Sequence, residues 1–161
     1  MNVVDNFLAE SDFLPLQTAL MGSNIYWRYQ NSIVQPPNGR FQFNHTLFWE
    51  GKACKDYFPL IEPCLSLLNV GELYRIKANL TPQTFFHREN GFHYDPWERS
   101  DVKNAVLYIN TNNGYTKFKK GGKVKSVANR MVIFDTDILH SGYTCTDEQV
   151  RVVVNFNYKS K

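Results

Sequence analysis

The chain has 161 residues, a formal charge of +3, and a composition that is 43% hydrophobic and 15% aromatic. That is enough apolar material for one ordinary domain and excludes a disordered chain. The mildly basic balance, with pI near 8.7, lacks the concentrated positive face of a dedicated nucleic-acid binder.

Read in chain order, the opening stretch MNVVDNFLAESDF mixes acidic with apolar residues and has no basic flank or cleavage site, so it does not read as a signal peptide. No apolar run approaches the length of a membrane span. Cys54, Cys64 and Cys145 are odd in number and show no CxxC spacing, which fits reduced thiols in a cytoplasm. SDFLPLQTALMG reads as a first helix, with Ser11 as N-cap, Pro15 in the first turn and Gly22 as the stop. QPPNGR is a turn, and FQFNHTLFW after it has strand character. FPLIEPCLSLLNVG reads as a second helix ending at Gly71.

From Glu72 onward the pattern becomes one of short strands: ELYRIKANL, NAVLYINT, YTKFKK, KVKSVA, RMVIFDT and QVRVVVNFNY. The basic run KFKKGGKVK (117–125) reads as a solvated hairpin turn. Regular short strands predict a sandwich or barrel, with the two helices on its outer face. The last strand supports this by its alternation. Val152, Val154, Phe156 and Tyr158 share an apolar face, while Arg151, Val153, Asn155 and Asn157 share one with polar groups that should line a cavity. Arg75, Lys77 and Asn79 alternate in the same way on the first strand of the series.

The chemistry-bearing residues follow the strands. GFHYDPW places His93 and Asp95 two apart, at the end of one strand; FDTDILHSGYT supplies His140 after another; Arg151 follows eleven residues later, early in the last strand. Two histidines and one carboxylate make a facial set that holds a metal and leaves adjacent coordination positions open. An arginine fork on the inward face suits the carboxylate of an anionic co-substrate. His45 and His87 have no matching partners and read as structural.

The order His-x-Asp, then His, then Arg resembles the Fe(II)/2-oxoglutarate-dependent dioxygenase superfamily, and within it the small prolyl-4-hydroxylase-like members of bacterial and phage type. The likeness covers residues 72–158, and VDNFLAESDF resembles the helical lead-in of those proteins. It implies a mainly β fold with flanking helices, the double-stranded β-helix (jelly roll, cupin-like), as one domain over 1–161 with 1–71 as support and 72–158 as core. It implies His93, Asp95 and His140 as iron ligands, and Arg151 and Tyr108, on VLYIN, as partners of the distal 2-oxoglutarate carboxylate. Asn155 falls where the family has a polar residue near the co-substrate. GYTKF departs from the usual Gly-Gly-x-Thr-x-Phe form at Tyr115. Asn79, Trp97 and Asn157 are candidates for contact with the substrate, Trp97 from a lid formed by DPWERSD.

The implied cofactors are Fe(II), 2-oxoglutarate and O2. The implied reaction hydroxylates an unactivated C–H, on a prolyl residue of a peptide or protein, and releases succinate and CO2. The rivals are a hydroxylase of a free amino acid or other small molecule, a nucleic-acid demethylase and a jelly-roll binding domain without catalysis. Demethylases of this superfamily resemble one another in a second arginine six residues after the first, where this chain has Asn157. That and the modest charge count against nucleic acid as partner.

Overall fold

The computed structural model describes residues 1–95 and 101–161. Its elements in chain order are β1 (Asn2–Val4), α1 (Glu10–Met21), β2 (Arg28–Gln30), β3 (Gln42–Trp49), β4 (Lys52–Ala53), α2 (Phe58–Leu67), β5 (Val70–Pro82), β6 (Val102–Tyr108), β7 (Tyr115–Phe118), β8 (Gly122–Lys125), β9 (Arg130–Asp135), β10 (His140–Tyr143) and β11 (Val150–Ser160). The major sheet runs β1-β9-β6-β11-β5-β3-β2, with β4 beside β3, and the minor sheet runs β10-β7-β8. Every pairing is antiparallel. The predicted strands are all present, and the fold is the expected jelly roll. The very short β1, β2 and β4 were not legible, and they make residues 1–71 contributors to the major sheet itself. None of the helices among the described residues is long and apolar enough to cross a membrane.

Both predicted helix boundaries shift. The Ala9 carbonyl already accepts bonds from the N–H groups of Asp12 and Phe13, so α1 starts at Glu10 and Ser11 lies inside the first turn. Glu10 and Asp12 then sit where the helix dipole favours negative charge. At the far end Gly22 caps as expected. The second helix stops at Leu67, because Asn69 takes the left-handed conformation (φ 51°) and turns the chain. Gly71 instead belongs to β5, with a Cβ there lying 3.1 Å from the Lys161 backbone nitrogen.

The alternation of β11 organises the core. Val152, Val154, Phe156 and Tyr158 pack with Phe13, Leu16 and Leu20 of α1 and Ile61 and Cys64 of α2. Between the sheets a smaller cluster joins Val106, Tyr108, Val132, Phe134 and Val153 to Phe118 and Val124 of the minor sheet. Two members of this second cluster, Val106 and Val153, also border the inter-sheet cavity. The hairpin predicted at 117–125 joins β7 to β8, with Gly121 and Gly122 both at positive φ.

Phe156 has no exposed surface, and a Phe→Ala change in such a core leaves a cavity that costs about 3–5 kcal/mol. Phe156→Ala should therefore lower the unfolding free energy by that amount, seen as a lower urea midpoint at unchanged slope, whereas Phe85→Ala, at a ring 87% exposed, should leave the midpoint where it was.

Candidate active site

A cavity of about 680 Å³ opens between the sheets, with β5 and β11 as its floor. Those strands pair in register, so the inward side chains form rows: Thr81 opposite Arg151, Asn79 opposite Val153, Lys77 opposite Asn155, and Arg75 opposite Asn157. Apart from Asn157, all of these face the cavity.

His93 and His140 meet on the opposite wall. The chain between β5 and β6 runs antiparallel along β10, with bridges at Glu89–Tyr143 and His93–His140. The two histidines exchange backbone bonds, His93 N–H to the His140 carbonyl at 3.0 Å and His140 N–H to the His93 carbonyl at 3.2 Å. His93 is thus held by this bridge, not at the end of a strand as expected, and His140 opens a strand of its own. The pairing sets the imidazoles side by side, 4.7 Å between centroids.

Each ring is oriented by its own chain. Nδ1 of His93 bonds the Gly91 carbonyl at 3.0 Å, and Nδ1 of His140 bonds the Ile138 carbonyl at 3.0 Å. A carbonyl only accepts, so both Nδ1 atoms carry the proton and both Nε2 lone pairs are free. Burial pushes the pKa of His140 down, against the opposing pull of Asp95, which keeps this imidazole neutral.

Asp95 stands beside them, its Oδ2 3.9 Å from His140 Nε2. Its Oδ1 accepts from Arg75 Nη2 at 3.0 Å. Arg75 Nε donates to Asn157 Oδ1 at 2.9 Å, and Asn157 Nδ2 donates to Asn104 Oδ1 at 2.6 Å. Asn157, with no exposed surface, is therefore a support behind Arg75 and does not reach the cavity. Among the described residues no three His, Cys, Asp or Glu side chains stand at ligand geometry around one point. The donor set nevertheless suits a divalent metal: two imidazoles whose Nδ1 atoms are engaged by carbonyls, and one carboxylate oxygen 3.9 Å from the Nε2 of His140.

At the other end of the floor Arg151 is buried and braced. Its Nε donates to Ser126 Oγ at 2.9 Å and its Nη2 to Thr116 Oγ1 at 3.1 Å, and its guanidinium lies 5.5 Å from the Tyr108 ring centroid. Gly114 makes room for it, since a Cβ there would stand 2.8 Å from Arg151 Cδ. Tyr108 is fully buried and donates its hydroxyl to Thr116 Oγ1 at 2.8 Å. It supports the wall from behind, while Thr116 lines the cavity. Thr116 accepts from both Arg151 and Tyr108, so its own O–H is left to donate elsewhere.

Asn79 and Asn155 line the cavity, each with a buried Oδ1 that has no partner. Trp97 and the rest of the predicted lid at 96–100 lie outside the described residues. His45 bonds the Tyr26 carbonyl and Cys54, and His87 bonds the Thr144 carbonyl, both as structural links. Thr116, Ser126 and Asn104 escaped the sequence reading. Thr116 shares its face of β7 with the core residue Phe118, a weak cue in a four-residue strand, and Ser126 carried no cue.

No protein-family model matches the sequence, and a search of curated proteins by sequence returns no match. Solved structures do match in three dimensions. A Pseudomonas putida prolyl-4-hydroxylase is similar at TM-score 0.64 and 14% identity, over 99% of this chain and 92% of that one. A Trichoplax adhaerens prolyl hydroxylase, in complex with a peptide of the hypoxia inducible factor oxygen degradation domain, gives TM-score 0.62 and 14% identity over 99% and 83%. The non-heme alpha ketoglutarate dependent epimerase SnoN of nogalamycin biosynthesis gives TM-score 0.68 and 12% identity over 98% and 77%. The chain has the double-stranded β-helix fold of the 2-oxoglutarate/Fe(II) oxygenases, prolyl hydroxylases among them.

Proposed function

We propose that the chain is an Fe(II)- and 2-oxoglutarate-dependent dioxygenase, folded as one domain over residues 1–161 with 1–71 supporting the 72–158 core. The observation that carries this reading is the pair of bridged histidines, both with free Nε2 atoms, beside the Asp95 carboxylate. His93, Asp95 and His140 would hold the iron. The bound metal would supply the dioxygen activation that couples decarboxylation of 2-oxoglutarate, to succinate and CO2, with hydroxylation of a C–H.

The protein's own residues bind and orient. Arg151 takes the distal carboxylate of 2-oxoglutarate, with Ser126 and Thr116 fixing the direction of its guanidinium. The free O–H of Thr116 supplies a further donor to that carboxylate, and Tyr108 acts through Thr116. Asn155 lies on the same floor and lines the co-substrate's path. Arg75 engages one oxygen of Asp95 and so reserves the other for the metal. A prolyl residue of a peptide or protein is the substrate this reading favours, on the likeness to two prolyl hydroxylases, one of them in complex with a peptide.

Titration of Fe(II) and 2-oxoglutarate into the protein without oxygen should produce the weak visible charge-transfer band of the chelate. His140→Ala should abolish it. Arg151→Ala should keep it but need roughly 10- to 100-fold more 2-oxoglutarate, the worth of one charge-assisted contact of about 1.5–3 kcal/mol. Absence of the band in folded wild-type protein would refute the assignment. Arg75→Met should weaken metal affinity by roughly 10- to 100-fold, as loss of a group that orients a ligand does. Metal-binding calorimetry on the variant measures this directly.

A further inference from the structure

Among the described residues the cavity floor carries three cations, Arg75, Lys77 and Arg151, against the one carboxylate of Asp95. Two of the three are engaged. Arg75 is bonded to Asp95 and Asn157, and Arg151 to Ser126 and Thr116. Lys77 lies between them and, among the described residues, has neither ion pair nor hydrogen bond. Its burial, helped by the neighbouring Arg75 charge, pushes its pKa down to about 8. A half-buried ammonium without a partner destabilises a fold unless something binds there.

The surroundings of Lys77 are built for a ligand. Asn155 sits directly opposite it on β11, and Asn79 is two residues along β5 on the same face. Both present buried Oδ1 atoms without partners. A strongly hydrated cation flanked by amide groups matches an anionic oxygen group that also carries N–H or O–H donors. On the reading above, the two carboxylates of 2-oxoglutarate are accounted for by Arg151 and by the metal. The charge excess at Lys77 therefore remains for the second substrate.

We propose that Lys77 binds a carboxylate of the primary substrate while the Oδ1 atoms of Asn79 and Asn155 accept from an N–H or O–H group beside that acid, so that the enzyme selects a molecule with a free acid near the reacting C–H. The inference rests on the cofactor reading of the cavity. The carboxylate can belong to a free amino or imino acid or to an acidic side chain next to the target residue in a peptide.

The test begins by loading the protein with Mn(II) and 2-oxoglutarate, following uptake by calorimetry. The loaded protein is then titrated with L-proline, with L-prolinamide, whose carboxyl group is neutralised, and with blocked peptides carrying Asp-Pro or Asn-Pro. At least one acid should bind ten-fold or more tightly than its neutral partner, and which pair shows the preference identifies the source of the carboxylate. Lys77→Met should lose the preference, keep wild-type affinity for 2-oxoglutarate and melt at a higher temperature without ligand, while Lys77→Arg retains the preference. No preference in wild type, or one that survives in Lys77→Met, would overturn the assignment. So would a Lys77→Met variant that loses 2-oxoglutarate as Arg151→Ala does. Failure of Mn(II) and 2-oxoglutarate uptake would instead contradict the cofactor reading. The same titrations of the unloaded cavity would then judge Lys77 by the same criterion.

Discussion

Two backbone hydrogen bonds between His93 and His140 fix the geometry on which the candidate site depends. They bring together residues 47 apart in sequence, and each imidazole is then steered by a carbonyl two residues back on its own chain. A carboxylate two residues after His93 has little choice but to face the same space. Arg75, reaching up from the opposite sheet, completes the constraint by holding one oxygen of Asp95. Both sheets thus take part in orienting one small group of side chains, and a shift of either would loosen it.

The major sheet serves two purposes through the parity of β11. One face of that strand anchors the helices through Val152, Val154, Phe156 and Tyr158. The other carries Arg151, Val153 and Asn155 along the cavity, and its pairing with β5 places a basic or polar side chain in each row. Among the described residues three cations stand near one carboxylate on this floor, an excess of charge that opposes folding. Such a floor is understandable if anionic ligands are its normal contents. The large apolar cluster behind the sheet is what allows the molecule to tolerate it.

Alternation made much of this legible in the sequence: the apolar and polar faces of β11, the inward Arg75, Lys77 and Asn79, and the strand-rich core. The His-x-Asp, His and Arg order pointed to residues that the fold does gather around one cavity. Other features depended on tertiary partners. Nothing local marks Asn157 as a brace for Arg75, because its role follows from cross-strand pairing with a residue 82 positions away. Tyr108 looked like a direct contact to the co-substrate, yet Thr116 stands between it and the cavity. Helix ends were misplaced because backbone caps at Ala9 and Asn69 replaced the side-chain and glycine signals that the sequence offered. Position 157 also carries a wider lesson. Arg75 of the neighbouring strand stands opposite Asn157 and bonds it, so charge at this point of the floor cannot be read from β11 alone.

The most direct measurement is a crystal structure of the protein with Mn(II) and 2-oxoglutarate, the metal located by its anomalous signal. The proposed chemistry predicts one peak bonded by Nε2 of His93, Nε2 of His140 and a carboxylate oxygen of Asp95, with the distal carboxylate of 2-oxoglutarate on Arg151 and Thr116. A peak elsewhere, or a 2-oxo acid bound away from Arg151, would contradict it.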